Sequence, residues 1–278
     1  MQTCIRCNTP IPEGKAQCPA CRKWHIPSRY DSHNSEVKPM LLSEVSVEKS
    51  ERLQTGPWDL CFGGGLVSES VVLIGGAPGA GKSTLMLQIA EEAGSVLYLA
   101  AEEAPEQIKE RADRLGISGE AIHIWPTLGG ETVIEAILDG LETYEIEPDL
   151  IIADSLPGMA GDNHALQSEI CISLKNYAIE NKCPALIIDH ITKELEFAGR
   201  IALQHLVDAT ISFYPDEKTG KRVLKPVKNR HGAVGTSSVF DMRETGLVHL
   251  HDTLNGVVVE QSRSKNVEVG RKAKSRRR

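Results

Sequence analysis

The sequence predicts an α/β fold built on a mostly parallel sheet, with its working site at the carboxyl ends of the strands. Three observations predict it. A phosphate-binding pattern, Gly76-Ala77-Pro78-Gly79-Ala80-Gly81-Lys82-Ser83-Thr84, lies between an apolar run and a helical pattern. Four more apolar runs follow it, spaced widely enough to hold helices between them. Two of those intervals carry apolar residues at clear helical spacing.

Taken in order, the chain opens with Cys4-x-x-Cys7 and Cys18-x-x-Cys21, ten residues apart. Two tight knuckles at this spacing let four thiolates converge on a tetrahedral zinc ion. So small a module has almost no core, and zinc would supply roughly 10 kcal/mol or more of its folding free energy. A redox pair or two chance knuckles are the alternatives. A ribbon of this kind serves docking or structure as often as nucleic-acid reading. Cys171 and Cys183 read as ordinary core residues. The expected organisation is a zinc ribbon over 1–26, a linker over 27–40, a core over 41–260 and a basic tail over 261–278.

Val71–Ile74 is the first buried strand, and Leu85, Gln88 and Ile89 begin the helix after the loop. Val96–Ala101 is the second strand. Pro105 starts a helix with Ile108, Ala112 and Leu115 on its buried face, closed by Gly116. Ile122–Trp125 is the third strand, and Ile134, Ile137, Leu138 and Leu141 form a helical stripe. Leu150–Ala153 is the fourth strand. Ile170, Leu174, Tyr177 and Ala178 mark another helix, and Ala185–Ile188 is the fifth strand. After Ala209 the pattern turns to shorter β segments, with Lys218-Thr219-Gly220 as a hairpin turn. Gly63-Gly64-Gly65 reads as a turn before the first strand.

The chain has 278 residues, 41% hydrophobic, with a formal net charge of -7. No run approaches the ~20 apolar residues of a membrane span. No charged start leads into an apolar block. The expectation is a soluble, cytoplasmic protein. The acidic total argues against blanket nucleic-acid binding, yet Arg271–Arg278 holds six basic residues.

Each strand end then offers a chemical group. In the phosphate loop, backbone N–H groups would cradle phosphates, Lys82 would neutralise them and Ser83 would hold Mg²⁺. Asp154 ends the fourth strand, where a carboxylate holds Mg²⁺ through its waters; the alternative is a cap for the next helix. Glu102 and Glu103 end the second strand. Adjacent side chains face opposite ways, so only one can orient a water on the γ-phosphate, and Glu102 is assigned that role. Solvated acids at a helix start are the alternative. His190 follows the fifth strand as a γ-phosphate sensor, although a lone histidine is usually structural. Lys228 and Arg230 share a strand face and could clamp a phosphate, in an assembly the neighbour's. On residue type alone a solvated basic turn is favoured there.

Several longer stretches carry a family resemblance. They are the ribbon with Trp24, Gly63-Gly64-Gly65, Gly75 through Thr84, and Leu97-Tyr98-Leu99-Ala100-Ala101-Glu102-Glu103. Gln107 and Arg111-Ala112-Asp113-Arg114-Leu115-Gly116 join them, with Asp154-Ser155, His190-Ile191-Thr192-Lys193-Glu194 and His205-Leu206-Val207-Asp208. Lys228-Asn229-Arg230-His231-Gly232 is similar to a Lys-Asn-Arg-Phe-Gly signature, with His231 in place of Phe. Over roughly residues 1–250 the chain thereby resembles the bacterial RadA (Sms) family of zinc-ribbon, RecA-type ATPases. The resemblance implies a homo-oligomer, a hexameric ring in preference to a filament, with ATP between subunits and single-stranded DNA in the channel. It implies ATP, Mg²⁺ and Zn²⁺ as cofactors, and a replication or recombination protein docked on the ribbon. It implies Glu102 as catalytic carboxylate and Lys228 and Arg230 acting in trans. The DNA segments it implies are Pro157–Leu166 and Lys193–Arg200, and Lys193 and Arg200 are the phosphate-contact candidates. The family continues into a Lon-protease-like domain, whereas this chain continues into the basic tail. A second reading is a nucleotide-switched scaffold similar to KaiC-type ATPases, whose cores also carry paired glutamates. Few aromatic residues, 4%, leave few platforms for stacking bases.

Overall fold

One ten-stranded sheet carries the molecule. The computed structural model describes residues 2–3, 9–11, 19–20, 41–44, 50–127, 134–190, 201–255 and 257–259. Cys4, Cys7, Cys18, Cys21, the linker 27–40, Lys193, Arg200 and the tail 261–278 lie outside the described residues.

Two short antiparallel pairs precede the sheet. They are β1 (Gln2–Thr3) with β2 (Pro10–Ile11), and β3 (Arg52–Leu53) with β4 (Leu66–Val67). The main sheet contains β5 (Val71–Gly76), β6 (Val96–Ala100), β7 (Ile122–Pro126), β8 (Leu150–Asp154) and β9 (Ala185–His190). It continues with β10 (Ala209–Pro215), β11 (Arg222–Asn229), β12 (Thr236–Arg243), β13 (Gly246–Leu254) and β14 (Val257–Val259). The spatial order is β14-β13-β12-β11-β10-β5-β9-β8-β6-β7. Every neighbouring pair from β10 to β7 is parallel, and every pair from β14 to β10 is antiparallel. The five apolar runs expected from sequence form β5 to β9, five of the six strands of the parallel half, with β7 at its edge.

Four of those runs are apolar almost throughout because both faces of the sheet are covered there, whereas the edge strand β7 includes His123 and has no fully buried residue. On one face α1 (Lys82–Ala93) and α2 (Pro105–Leu115) pack against Val72, Ile74, Val96 and Tyr98. On the other, α3 (Ile134–Thr143), α4 (Leu156–Ala160), α5 (His164–Asn181) and α6 (Ile201–Leu206) pack against Val71, Leu73, Leu97 and Leu99. Fully burying a single Val, Leu or Ile stabilises by roughly 1.5–3 kcal/mol, and β5, β6 and β8 bury such residues on both sides. Alternation along β5 thus feeds two separate cores.

Local signals set the helix ends. Pro105 opens α2 and Gly116, with φ of 73°, closes it. Ser155 caps α4 by accepting from Gly158 N, and Asn163 caps α5 by accepting from Leu166 N. The cap considered for Asp154 therefore falls to its neighbour Ser155. Gly220 N donates to Asp216 O across the β10–β11 hairpin turn. Cys61, Cys171 and Cys183 are buried free thiols, and burial pushes Cys61 up to about 11 and Cys183 up to about 12. Among the described residues no helix is long and apolar enough to cross a membrane.

Candidate functional site

The strand ends of β5, β9, β8 and β6 lie side by side. Gly76 is in register with His190 and Gly75 with Asp189, while Ala100 is in register with Asp154. Four candidate groups therefore share one edge of the sheet because four consecutive strands end there.

The loop Ala77–Gly81 leads from β5 directly into α1. Gly81 has φ of 102°, a left-handed conformation that a side chain resists. A Cβ there would also lie 2.4 Å from Met242 Cε. Lys82 is buried at the first turn of α1, and its ammonium donates to Gly76 O at 2.8 Å and Ala77 O at 3.2 Å. Burial lowers its pKa, and nearby Glu102, Asp154 and Asp189 oppose that shift. Ser83 hydrogen-bonds the Asp154 carboxylate. A hydroxyl and a carboxylate in contact form a hard oxygen pair suited to Mg²⁺.

Asp154 is held by a residue that the sequence reading passed over. Tyr98 is buried in β6 and its hydroxyl donates to Asp154 Oδ2 at 2.5 Å. The signal was present: a tyrosine inside an all-apolar strand needs a partner for its hydroxyl. Burial pushes the Asp154 pKa up, and the hydrogen bonds from Tyr98 and Ser83 pull it back. A divalent cation would favour the ionised form.

Glu102 and Glu103 take opposite directions, as adjacent residues leaving a strand should. Glu103 forms a two-pronged ion pair with Arg111 on α2, at 2.5 and 2.7 Å. Glu102 turns toward the phosphate-loop side. Its Oε1 accepts from the Ser155 hydroxyl and lies 2.7 Å from His190 Nε2. Gly158 permits this approach, since a Cβ there would lie 2.9 Å from Ala101 Cβ and 3.0 Å from Glu102 Cγ. The His190 hydrogen bond is the largest cause holding the Glu102 carboxyl below its ordinary range; burial opposes it and the Ser155 bond adds to it.

A pH prediction follows from that sign. A depressed carboxyl keeps its charge at lower pH and loses it only as pH falls through the folded-state value. Turnover that needs ionised Glu102 is expected to have its acid limb below the ordinary carboxylate range. In His190→Ala that limb is expected to move to higher pH. Coincident acid limbs in the two kcat–pH profiles would refute the coupling.

Lys228 and Arg230 lie at the other end of the sheet. Asn229 pairs with Ala209, and Ala209 with Val72 at the start of β5. Four residues of strand, about 13 Å, separate that level from Gly76. The two cations therefore do not join their own chain's phosphate loop. Lys228 donates to the carbonyls of Gln204 and Val207 at the end of α6. Arg230 pairs with Asp208 at 3.3 Å and reaches His205 O, with its side chain 49% exposed. Asp208 is buried, and also accepts from Val71 N and Lys175. This buried carboxylate is thus held by a backbone amide and two cations, one of them half-exposed.

The turn after Arg230 is built against the triple glycine. A Cβ on Gly232 would meet Gly63 Cα at 2.8 Å. Arg52 bridges the two, donating to His231 O and Gly65 O. The glycines thus form a turn, and that turn supports residues 231–232. His231 is held below its ordinary pKa chiefly by burial. Of the segments considered for DNA, Pro157–Leu166 forms α4 and the start of α5, with Met159 buried and residues 161–165 exposed. It carries no lysine or arginine.

The chain has the KaiC-like, RecA-type ATPase fold. The family described as "ATPase: KaiC" matches residues 54–124. A KaiC-like protein from the archaeon Pyrococcus horikoshii OT3 superposes with a TM-score of 0.60 at 18% identity, covering 73% of this chain and 100% of that one. Among proteins similar in sequence is the DNA repair protein RadA of Bacillus subtilis, 32% identical over 278 residues. Its counterparts in Chlamydia pneumoniae and Aquifex aeolicus are both 34% identical, over 266 and 264 residues. The matches cover 88–89% of this chain but only 57–58% of the relatives' length.

Proposed function

We propose that the chain is an ATP-hydrolysing RadA-like protein that acts on DNA in recombination or repair. The observation that carries the proposal is the convergence of Lys82, Ser83, Asp154, Glu102 and His190 on one edge of the sheet, beside a phosphate loop. Similarity to the RadA proteins supports the DNA half of the reading. In this assignment the loop Gly76–Thr84 binds the nucleotide phosphates and Lys82 neutralises them. Ser83 and Asp154 hold Mg²⁺, which supplies charge neutralisation at the phosphates. Glu102 orients and deprotonates the attacking water, and His190 senses the change in charge through its bond to Glu102. Lys228 and Arg230 face a neighbour's nucleotide in a homo-oligomer, for which a hexameric ring is the favoured form. Lys193, Arg200 and the basic tail attract DNA phosphates. Cys4, Cys7, Cys18 and Cys21 hold one zinc ion, to be counted by metal analysis of purified protein; a zinc-free folded protein refutes that part.

The test is steady-state ATP hydrolysis with and without single-stranded DNA, across a salt series. It uses full-length protein and protein cut after Gly270. Stimulation that weakens with salt is expected, and a loss on truncation assigns the tail its role. Equal rates with and without DNA at low salt would remove the DNA reading and leave a nucleotide-switched scaffold.

A further inference from the structure

The antiparallel half of the sheet reaches back to the phosphate loop through Arg222, at the first position of β11. Its Nε donates to Ala80 O at 2.9 Å, across 142 residues of sequence, and its Nη1 donates to Gly220 O at 2.8 Å. The guanidinium is thus tied at one side to its own hairpin turn and at the other to the loop. That turn is itself fixed: Asp216 accepts from the amides of Lys218 and Thr219 and from the Thr219 hydroxyl. On the next strand, β12, Asp241 is shared by Arg243 and by Lys221 of the turn, and Met242 lies over Gly81.

A peptide unit is planar and trans, so its C=O and N–H point in opposite directions. The Ala80 carbonyl and the Gly81 N–H belong to one such unit. Pulling the carbonyl out toward β11 turns the amide away from β11. We propose that Arg222 is a positioning residue for nucleotide: it holds the Ala80–Gly81 peptide so that Gly81 N–H faces the cradle where phosphate oxygens bind. Met242 blocks the opposite rotation from outside, because Gly81 has no side chain and the methionine fills that space. The loop is then preorganised before any phosphate arrives, and binding loses less entropy in ordering it. The charge of Arg222 also polarises this peptide, which strengthens the amide as a donor.

This inference rests on the ATPase reading, and its test separates the two. Binding of a fluorescent ADP analogue and the steady-state KM for ATP are measured for wild type, Arg222→Met and Arg222→Lys, each with a thermal melt. Arg222→Met keeps the aliphatic stem and loses every donor. It is expected to weaken nucleotide binding and raise KM by about tenfold, the loss of one charge-assisted hydrogen bond, with the effect falling on KM rather than kcat. Arg222→Lys keeps a cationic donor for Ala80 O but loses the fork that also holds Gly220 O, and is expected to bind between Arg222→Met and wild type. Wild type that binds no nucleotide overturns the ATPase reading itself. Wild type that binds, with Arg222→Met within twofold of it, overturns the positioning role alone. So does Arg222→Lys that binds as weakly as Arg222→Met, because a returned donor would then restore nothing. Should Arg222→Met melt far below wild type, the Arg222→Lys comparison decides.

Discussion

Glu102→Gln is expected to lower ATP turnover at least about 100-fold while nucleotide affinity stays within about threefold. A positioned general base contributes on the order of 10²–10⁴ in rate. The glutamine keeps the size of the side chain, and its carbonyl can still accept from Ser155 and His190. What it loses is the negative charge and the capacity to take a proton. The neighbouring change provides the contrast. Glu103→Gln removes a partly exposed ion pair with Arg111, of a kind that contributes about 0–1 kcal/mol. It is expected to lower stability slightly and turnover by less than about tenfold. Single-turnover hydrolysis and nucleotide binding on both variants check this. Glu102→Gln turning over within fivefold of wild type would remove Glu102 from the chemistry.

Arg230→Ala is expected to lower turnover about 10³-fold or more, in the range that trans-acting arginines contribute. The decisive measurement is mixing. An Arg230→Ala subunit retains its own phosphate loop and Glu102; a Glu102→Gln subunit retains its own Arg230. Where the two meet in the right order, one interface regains a complete set. Equimolar mixing is expected to restore turnover well above either variant alone. The placement of Arg230 about 13 Å along the sheet from its own loop motivates this. No recovery in mixed, fully assembled protein would refute action between subunits. Asp208→Asn distinguishes a cation that is held ready from one that is free: it unties Arg230 and Lys175 together.

The parallel half of the fold was legible because its strands are buried on both faces, which leaves uninterrupted runs such as Val71–Ile74 and Leu150–Ala153. Gly116 and Pro105 marked α2 through backbone constraints that act over a few residues. The choice between Glu102 and Glu103 was a matter of alternation, and the partners Ser155, His190 and Arg111 lie on other elements. Tyr98 could have been found by asking where a buried hydroxyl sends its proton. Arg222 could not, since nothing near it in sequence refers to Ala80. The antiparallel half was read only as short β segments, because β11 and β12 alternate burial and carry charge on their open sides, and β13 mixes histidines and a buried aspartate into its apolar run. Lys228 and Arg230 read as a solvated turn for a similar reason: their acceptors come from residues 204–208, which pattern does not connect to them.

The bridge from Arg52 to His231 spans 179 positions. Contacts of such separation wait on closure of the intervening chain, whereas α1, α2 and α5 form from neighbours along the sequence. During synthesis the glycine turn at 63–65 has no surface to rest on until residues 231 and 232 have emerged. The Lys228–Arg230 segment therefore takes its final shape late, after the phosphate loop has its strand and helix. The phosphate loop waits on the same half of the sheet, since Arg222 and Met242, which meet it at Ala80 and Gly81, are also made late. A chain cut short before residue 232 would thus leave the glycine turn and the Lys228–Arg230 segment unsupported together.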